Sequence, residues 1–278
     1  MAQSAVWDLY VMEYARSKDQ PWVDLVAGMY ADGVMDLPFS FVLLQRDGRN
    51  VLVDTGFMRD EHGPGFSGKF GIPTWMSPLR LLAEMSLEPD DISDIFITHA
   101  HFDHMGSIAE FPKAQIYIQK SELLSWYELF ALPKRFSDLT AIVDPRTMQT
   151  ALGASIEHRV TLIDGDKDNV LPGIHVRLGG GHTVGHQIVI VDTAAGRRVI
   201  SGDCIYSRSQ ITGRDNDGVY IPLNNAIGSA WEQLKTIDKM NDELGGDMAR
   251  LVVLHDIERW KGLPIVKELE GFRIVKVA

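Results

Sequence analysis

Cysteine is almost absent: Cys204 is the single one in 278 residues. One thiol excludes an internal disulfide and any multi-cysteine zinc or iron–sulfur site, so nitrogen and oxygen must hold any bound metal. Positive charge is also scarce. The 27 Lys+Arg stand against 38 Asp+Glu, a formal net charge of −11, and no basic stripe interrupts that balance. Phosphate backbones are gripped by clustered Lys and Arg, so no nucleic-acid partner is expected. No uninterrupted apolar run approaches the roughly 20 residues needed to cross a bilayer, so no membrane partner is expected either. The opening Met1-Ala2-Gln3-Ser4 runs into Val6 and Trp7 without a basic segment or a small-residue cleavage site. That start predicts a cytoplasmic protein rather than a secreted one.

What is present is an ordinary globular composition, 45% hydrophobic and 23% charged, arranged as short β-rich runs with a few amphipathic helices between them. Residues 40–44, the turn pair Asp47-Gly48 and residues 50–54 read as a hairpin. Further strands are predicted at 95–98, 115–118, 160–163 and 174–178, a second hairpin at 188–191 and 198–201 through Ala195-Gly196, and last strands at 251–254 and 272–275. A helix is predicted over 121–132, with Ser121 as N-cap and Pro133 beyond its end. Another is predicted over 229–244, with Trp231, Leu234, Ile237, Met240, Asn241 and Leu244 near one face and Gly245-Gly246 as the stop. Strands in hairpins, then interleaved with helices, imply mixed sheets covered by helices, an α/β layered fold. No repeat, low-complexity tract or linker divides the chain, so one domain over 1–278 is expected. Residues 57–85 mix glycine and proline with aromatics and predict either a surface Ω-loop or a wall over a cleft.

The nine histidines are placed unevenly. Thr98-His99-Ala100-His101-Phe102-Asp103-His104 follows directly on a predicted strand. Three imidazoles and a carboxylate packed so closely are costly to bury, because each buried polar group needs a partner. On a strand-end loop the same side chains converge on one point, as metal ligands must. Other strand ends carry matching groups: His182 in Gly179-Gly180-Gly181-His182-Thr183-Val184-Gly185-His186, Asp203 in Ser201-Gly202-Asp203, and His255 after 251–254. Together these are five histidines and two carboxylates, enough for two metal ions.

This pattern resembles the metallo-β-lactamase superfamily, and within it the N-acyl homoserine lactonase group. Val53-Asp54-Thr55-Gly56 is similar to the superfamily's D-T-G turn beneath the metal site. Gly181-His182-Thr183-x-Gly185-His186 is widespread in the superfamily, whereas Gly202-Asp203-x-x-Tyr206 and His255-Asp256-Ile257-Glu258 are more specific to the lactonases. The resemblance implies an αββα sandwich of two mixed β-sheets flanked by helices. It also implies that His99, His101 and His182 hold one ion, that Asp103, His104 and His255 hold a second, and that Asp203 bridges them. Imidazole and carboxylate ligands suit two Zn(II) ions per chain, with Mn, Fe or Co able to occupy the same set. His186 would orient a ligand, and Cys204 would be a small buried neighbour of Asp203.

The expected reaction is hydrolysis: a water shared by two ions has a lowered pKa and supplies hydroxide to an electrophilic carbonyl. Asp103 would carry its proton to the leaving group, and Tyr206 would hydrogen-bond the substrate carbonyl or ring oxygen. The expected partner is a small lactone, an N-acyl homoserine lactone first, with another cyclic amide, ester or thioester as alternatives. An iron-dependent persulfide dioxygenase on the same scaffold is the rival from another class. Monomer and homodimer both stay open. Phe57, Phe66, Phe70, Trp75, Met76, Trp126, Tyr127 and Phe130 are candidate pocket walls, and the loop 207–225, with Arg208 and Arg214, is a candidate cap.

Overall fold

In the computed structural model, residues 5–29, 33–59, 63–256 and 260–278 are described. Their strands form two sheets. The larger runs Ile265–Leu269, Phe272–Lys276, Asp8–Pro21, Val34–Arg46, Arg49–Val53, Ile92–Phe96, Gln115–Gln119 and Val160–Ile163, with Thr74–Trp75 paired to Asp8–Pro21. The smaller runs Leu251–Val252, Arg198–Ile200, Gln187–Val191, Ile174–Leu178 and Lys167–Leu171. Both mix parallel and antiparallel pairs.

Strand alternation shows why four layers result. In Gln187–Val191, Val189 and Val191 join Leu9, Val11, Val42, Leu44, Val51 and Val53 between the sheets, while Ile188 and Ile190 pack outward against Ile237, Met240 and Leu244 of the helix Ala230–Leu244. In the larger sheet Leu52, Phe41 and Leu43 point the other way, into a core shared with the helices Pro78–Glu84, Lys120–Phe130 and Pro145–Ile156. The result is the expected sandwich: helices, sheet, sheet, helix.

Several elements depart from expectation for local reasons. The longest strand, Asp8–Pro21, was not anticipated, because bulges between Glu13 and Ala15 and between Ser17 and Gln20 break its period of two. The helix Pro145–Ile156 is opened by Asp144, whose side chain accepts the Arg146 N–H. Lys120–Phe130 starts one residue before Ser121, which therefore does not cap it. Ala230–Leu244 is capped by Ser229 and Glu232 as a reciprocal pair. Its buried side carries Gln233, Thr236, Ile237, Met240 and Leu244, whereas Trp231 is 69% exposed. Residues 57–85 are more regular than predicted, holding the short helices Gly63–Lys69 and Pro78–Glu84.

Candidate metal centre

Topology brings the candidate ligands together. Arg49–Val53 and Ile92–Phe96 run parallel, as do Arg198–Ile200 and Leu251–Val252, so Asp54, His99, Asp203 and His255 leave the same edge of the sandwich. Ile174–Leu178 has the same direction and delivers His182 there. All seven residues named from the sequence are buried and meet. The ligand atoms of His99, His101 and His182 lie within 4.8 Å of one another, and so do those of Asp103, His104, Asp203 and His255. Asp203 faces both groups. Its Oδ2 is 4.0 Å from His99 Nε2 and 3.6 Å from His182 Nε2, while its Oδ1 is 3.1 Å from the Nε2 atoms of His104 and His255.

Hydrogen bonds outside the cluster decide which ring nitrogen faces in. His104 Nδ1 donates to Asp54 Oδ2 at 2.8 Å, His255 Nδ1 to the Pro38 carbonyl at 2.6 Å, and His182 Nδ1 to the Asn225 carbonyl at 3.0 Å. The Thr98 hydroxyl donates to Asp54 Oδ2 at 2.8 Å, so at 3.0 Å from His99 Nδ1 it can only accept. Four imidazoles thus commit Nδ1 outward and turn Nε2 inward. His101 turns Nδ1 inward, 2.9 Å from His99 Nε2 and 3.1 Å from His182 Nε2. One ring proton at most can be shared among these three nitrogens, and His101 Nε2 is buried without a partner, so a cation among them would satisfy the inward atoms. Asp203 Oδ1, buried without a well-aligned hydrogen bond, repeats the pattern. The donor set therefore fits metal ions.

Electrostatics separates the two groups. Burial, then the neighbouring imidazoles, hold His99 and His101 well below the ordinary histidine pKa. Burial also opposes charge on His104, but Asp203, Asp103 and Asp54 outweigh it and hold that ring well above the ordinary value. His255 is raised chiefly by Asp203, against burial.

Of the supporting residues, Asp54, His186, Cys204 and Tyr206 carry signals visible in the sequence, whereas Tyr14 does not. Asp54, at φ 62°, accepts the Thr98 N–H at 2.7 Å as well as His104. The Tyr14 hydroxyl donates to the Asp103 carbonyl at 2.8 Å. His186 holds the backbone of the expected bridge and packs on the His99 ring with centroids 5.0 Å apart: its Nε2 accepts the Asp203 N–H at 3.0 Å, and Cys204 Sγ lies 3.2 Å from its Nδ1. Gly202 is required beside it, since a Cβ there would sit 2.4 Å from His186 Nε2. Tyr206 donates its hydroxyl to Asp203 Oδ2 at 2.8 Å. Ile257 and Glu258 of the His-Asp-Ile-Glu run lie outside the described residues.

Above the cluster opens a cleft of about 530 Å³, with His101, Asp103, Asp203, Tyr206 and His255 on its floor. Leu25, Leu37, Phe39, Phe70, Phe102 and Ile142 make apolar walls. Of the aromatics expected there, Phe70 lines it and Phe66 stacks behind Phe102 at 4.6 Å. Phe57, Met76 and Trp126 are core, Trp75 bonds the Phe57 carbonyl, Tyr127 the Met148 carbonyl, and Phe130 is 37% exposed. Asn224 and Asn225 close the far end of the 207–225 loop over the cleft. Neither Arg208 nor Arg214 lines it, and Arg214 donates to the Gly28 carbonyl at 2.6 Å. Among the described residues Lys69 is the one lysine or arginine of the lining, and it donates to the Ala141 carbonyl at 3.2 Å.

A four-layer sandwich with such a cluster at its strand ends defines a metallo-hydrolase scaffold. The chain belongs to the metallo-beta-lactamase superfamily, whose family model matches residues 37–244. A probable metallo-hydrolase of Mycobacterium tuberculosis is 30% identical over 234 residues, covering 77% of this chain and 69% of that protein. An N-acyl homoserine lactonase of a Bacillus species is 24% identical over 245 residues, 84% of this chain and 88% of the relative. Among solved structures, an N-acyl homoserine lactone hydrolase with the product N-hexanoyl-L-homoserine at its catalytic metal centre has a TM-score of 0.70 at 22% identity, covering 95% of this chain and 99% of that one.

Proposed function

We propose that the chain is a dinuclear zinc hydrolase that opens a lactone ring, with an N-acyl homoserine lactone as the leading substrate. The observation that carries this reading is the shared Asp203, facing a three-imidazole group on one side and the His104 and His255 rings on the other, under an apolar cleft. His99, His101 and His182 would hold one ion, Asp103, His104 and His255 the other, and Asp203 both. Ions bound there lower the pKa of a coordinated water and polarise a carbonyl oxygen.

The chain's own groups then divide the work. Asp103, on the cleft floor, accepts the proton of the attacking water and delivers it to the ring oxygen as the acyl C–O bond breaks. Tyr206 offers its hydroxyl to the oxygen that gains charge. Burial, then Asp203, holds the phenol pKa well above its ordinary value, so it stays a donor across neutral pH. The product is a hydroxy acid, whose carboxyl releases one proton. Apolar walls with, among the described residues, no lysine or arginine beyond Lys69 suit a neutral acyl lactone better than a phosphodiester.

Zinc-loaded protein offered homoserine lactones, other lactones, cyclic amides, thioesters and phosphodiesters should acidify the lactone samples fastest. Turnover confined to thioesters or phosphodiesters would overturn the substrate class. Protein purified without added metal that carries one iron and consumes oxygen with a persulfide would overturn the hydrolase reading.

A further inference from the structure

Glu122 lies in the first turn of the helix Lys120–Phe130, fully buried, and no part of the reading above uses it. Four donors surround its carboxylate. Oε1 accepts the Ala100 N–H at 2.9 Å and the Trp126 indole N–H at 2.7 Å. Oε2 accepts the Thr183 hydroxyl at 2.6 Å and the Gly185 N–H at 2.9 Å. Ala100 sits between His99 and His101, and Thr183 and Gly185 follow His182. One side chain therefore ties together the two loops that carry the three-imidazole group. Its one contact in the 98–104 run is at Ala100, ahead of Asp103 and His104, and none of its partners belongs to the segments bearing Asp203 or His255. Trp126, which it holds, packs edge-on against His101 with ring centroids 5.8 Å apart. The approach is close enough to require glycine at 185, where a Cβ would lie 2.1 Å from the Glu122 nitrogen.

A neutral side chain could brace two loops. A buried carboxylate is costly even when hydrogen-bonded, so its charge needs a reason. The group it backs is all imidazole, with no carboxylate of its own beyond the shared Asp203. A negative charge behind three neutral rings favours a cation in front of them. We propose that Glu122 is the positioning residue of the His99, His101 and His182 site, setting that site's metal affinity separately from its neighbour's. This rests on the two-ion reading above.

The test uses chelator-stripped full-length protein titrated with Zn(II) against a chromophoric chelator. Wild type should take two ions. Glu122→Gln keeps the shape but turns an amide NH₂ toward one pair of donors. It should keep one ion at wild-type affinity and bind the other on the order of 10- to 100-fold more weakly. In a His182→Ala background the same substitution should change nothing further; in a His255→Ala background it should weaken the one remaining ion. Two ions at unchanged affinity, or equal weakening of both, would overturn the proposal while leaving two-ion binding intact. A wild-type chain that takes up no metal would overturn the two-ion reading itself and this proposal with it. If circular dichroism shows Glu122→Gln unfolded, Thr183→Val removes one donor at constant volume and should give the same one-sided weakening, several-fold; equal affinities there would overturn the proposal.

Discussion

Replacing Tyr206 with phenylalanine removes one oxygen atom, and the structure says which bond goes with it. That hydroxyl donates to Asp203 Oδ2 at 2.8 Å, from a ring that is 4% exposed and 5.4 Å from the His255 ring. The phenylalanine ring fills the same space, so no cavity opens, and what is lost is the hydrogen bond to the buried Asp203 carboxylate. A hydrogen bond to a charged group contributes about 1.5–3 kcal/mol. At about 1.4 kcal/mol per tenfold, a donor engaged in the transition state then accounts for roughly a 10- to 100-fold loss in kcat. KM should hardly change, because the bond matters where charge develops rather than where the lactone first binds. The assay is kcat and KM on an acyl homoserine lactone by pH indicator, with metal content measured on the same sample. Unchanged kinetics with two ions per chain would return Tyr206 to a packing role. Lost metal would instead make the hydroxyl a support for Asp203 and refute its part in the chemistry.

Asp203→Ala should lose metal and activity together, since both groups share that carboxylate; two zinc ions retained per chain would show that it bridges nothing. Asp54→Asn should leave His104 without its charged anchor and weaken zinc at the Asp103, His104 and His255 site on the order of 10- to 100-fold, read by the same chelator competition; unchanged binding would refute the anchoring role. Without metal, stability should fall as pH drops below about 6.5, the unfolded imidazole value. Burial holds His99, His101, His182 and His186 below that value, so unfolding takes up protons there. Burial also raises Asp54 and Glu122, which offsets part of this acid limb. His104 and His255 are raised, so their stabilisation is complete below 6.5 and fades as pH rises through their folded values. Urea midpoints of chelated protein between pH 5 and 8 should therefore pass through a maximum; a profile that only rises with pH would contradict the assignment.

The candidate ligand set was legible because histidine and aspartate at strand ends are poor core residues with few other reasons to be there. All seven converge. What surrounds them was hidden by its dependence on distant partners. An acid in the first turn of a helix, as Glu122 is, ordinarily faces solvent and the helix dipole; contacts to Ala100 and Gly185, 22 and 63 residues away, give it another task. Tyr14 meets Asp103 across 89 residues, from a strand whose bulges conceal it. Aromatic spacing failed for a related reason. Phe70 and Phe57 look alike in sequence, yet one lines the cleft and the other packs between Tyr14 and Phe102. Phe39, a cleft wall, alternates with core residues along Val34–Arg46 and carries no local mark.

The acidic balance looks different once its members are placed. Asp54, Asp103, Glu122 and Asp203 are all buried around one point, four negative charges that the net value of −11 counts together with those on the surface. Two divalent ions would match them, +4 against −4, and leave the cleft floor close to neutral. The division within that sum is uneven. Asp54, Asp103 and Asp203 surround the site of His104 and His255, whose ring pKa values the carboxylates raise against burial. Glu122 alone backs the three-imidazole site from behind. A cluster so arranged crowds ring nitrogens on one side and carboxylates around two rings on the other, and a cation on either side would satisfy the inward atoms. Metal binding to the folded chain then adds stability as RT ln(1 + [L]/Kd). Zinc should raise the melting temperature of the stripped protein well before it restores turnover, because the first ion stabilises one site while the proposed hydrolysis needs both.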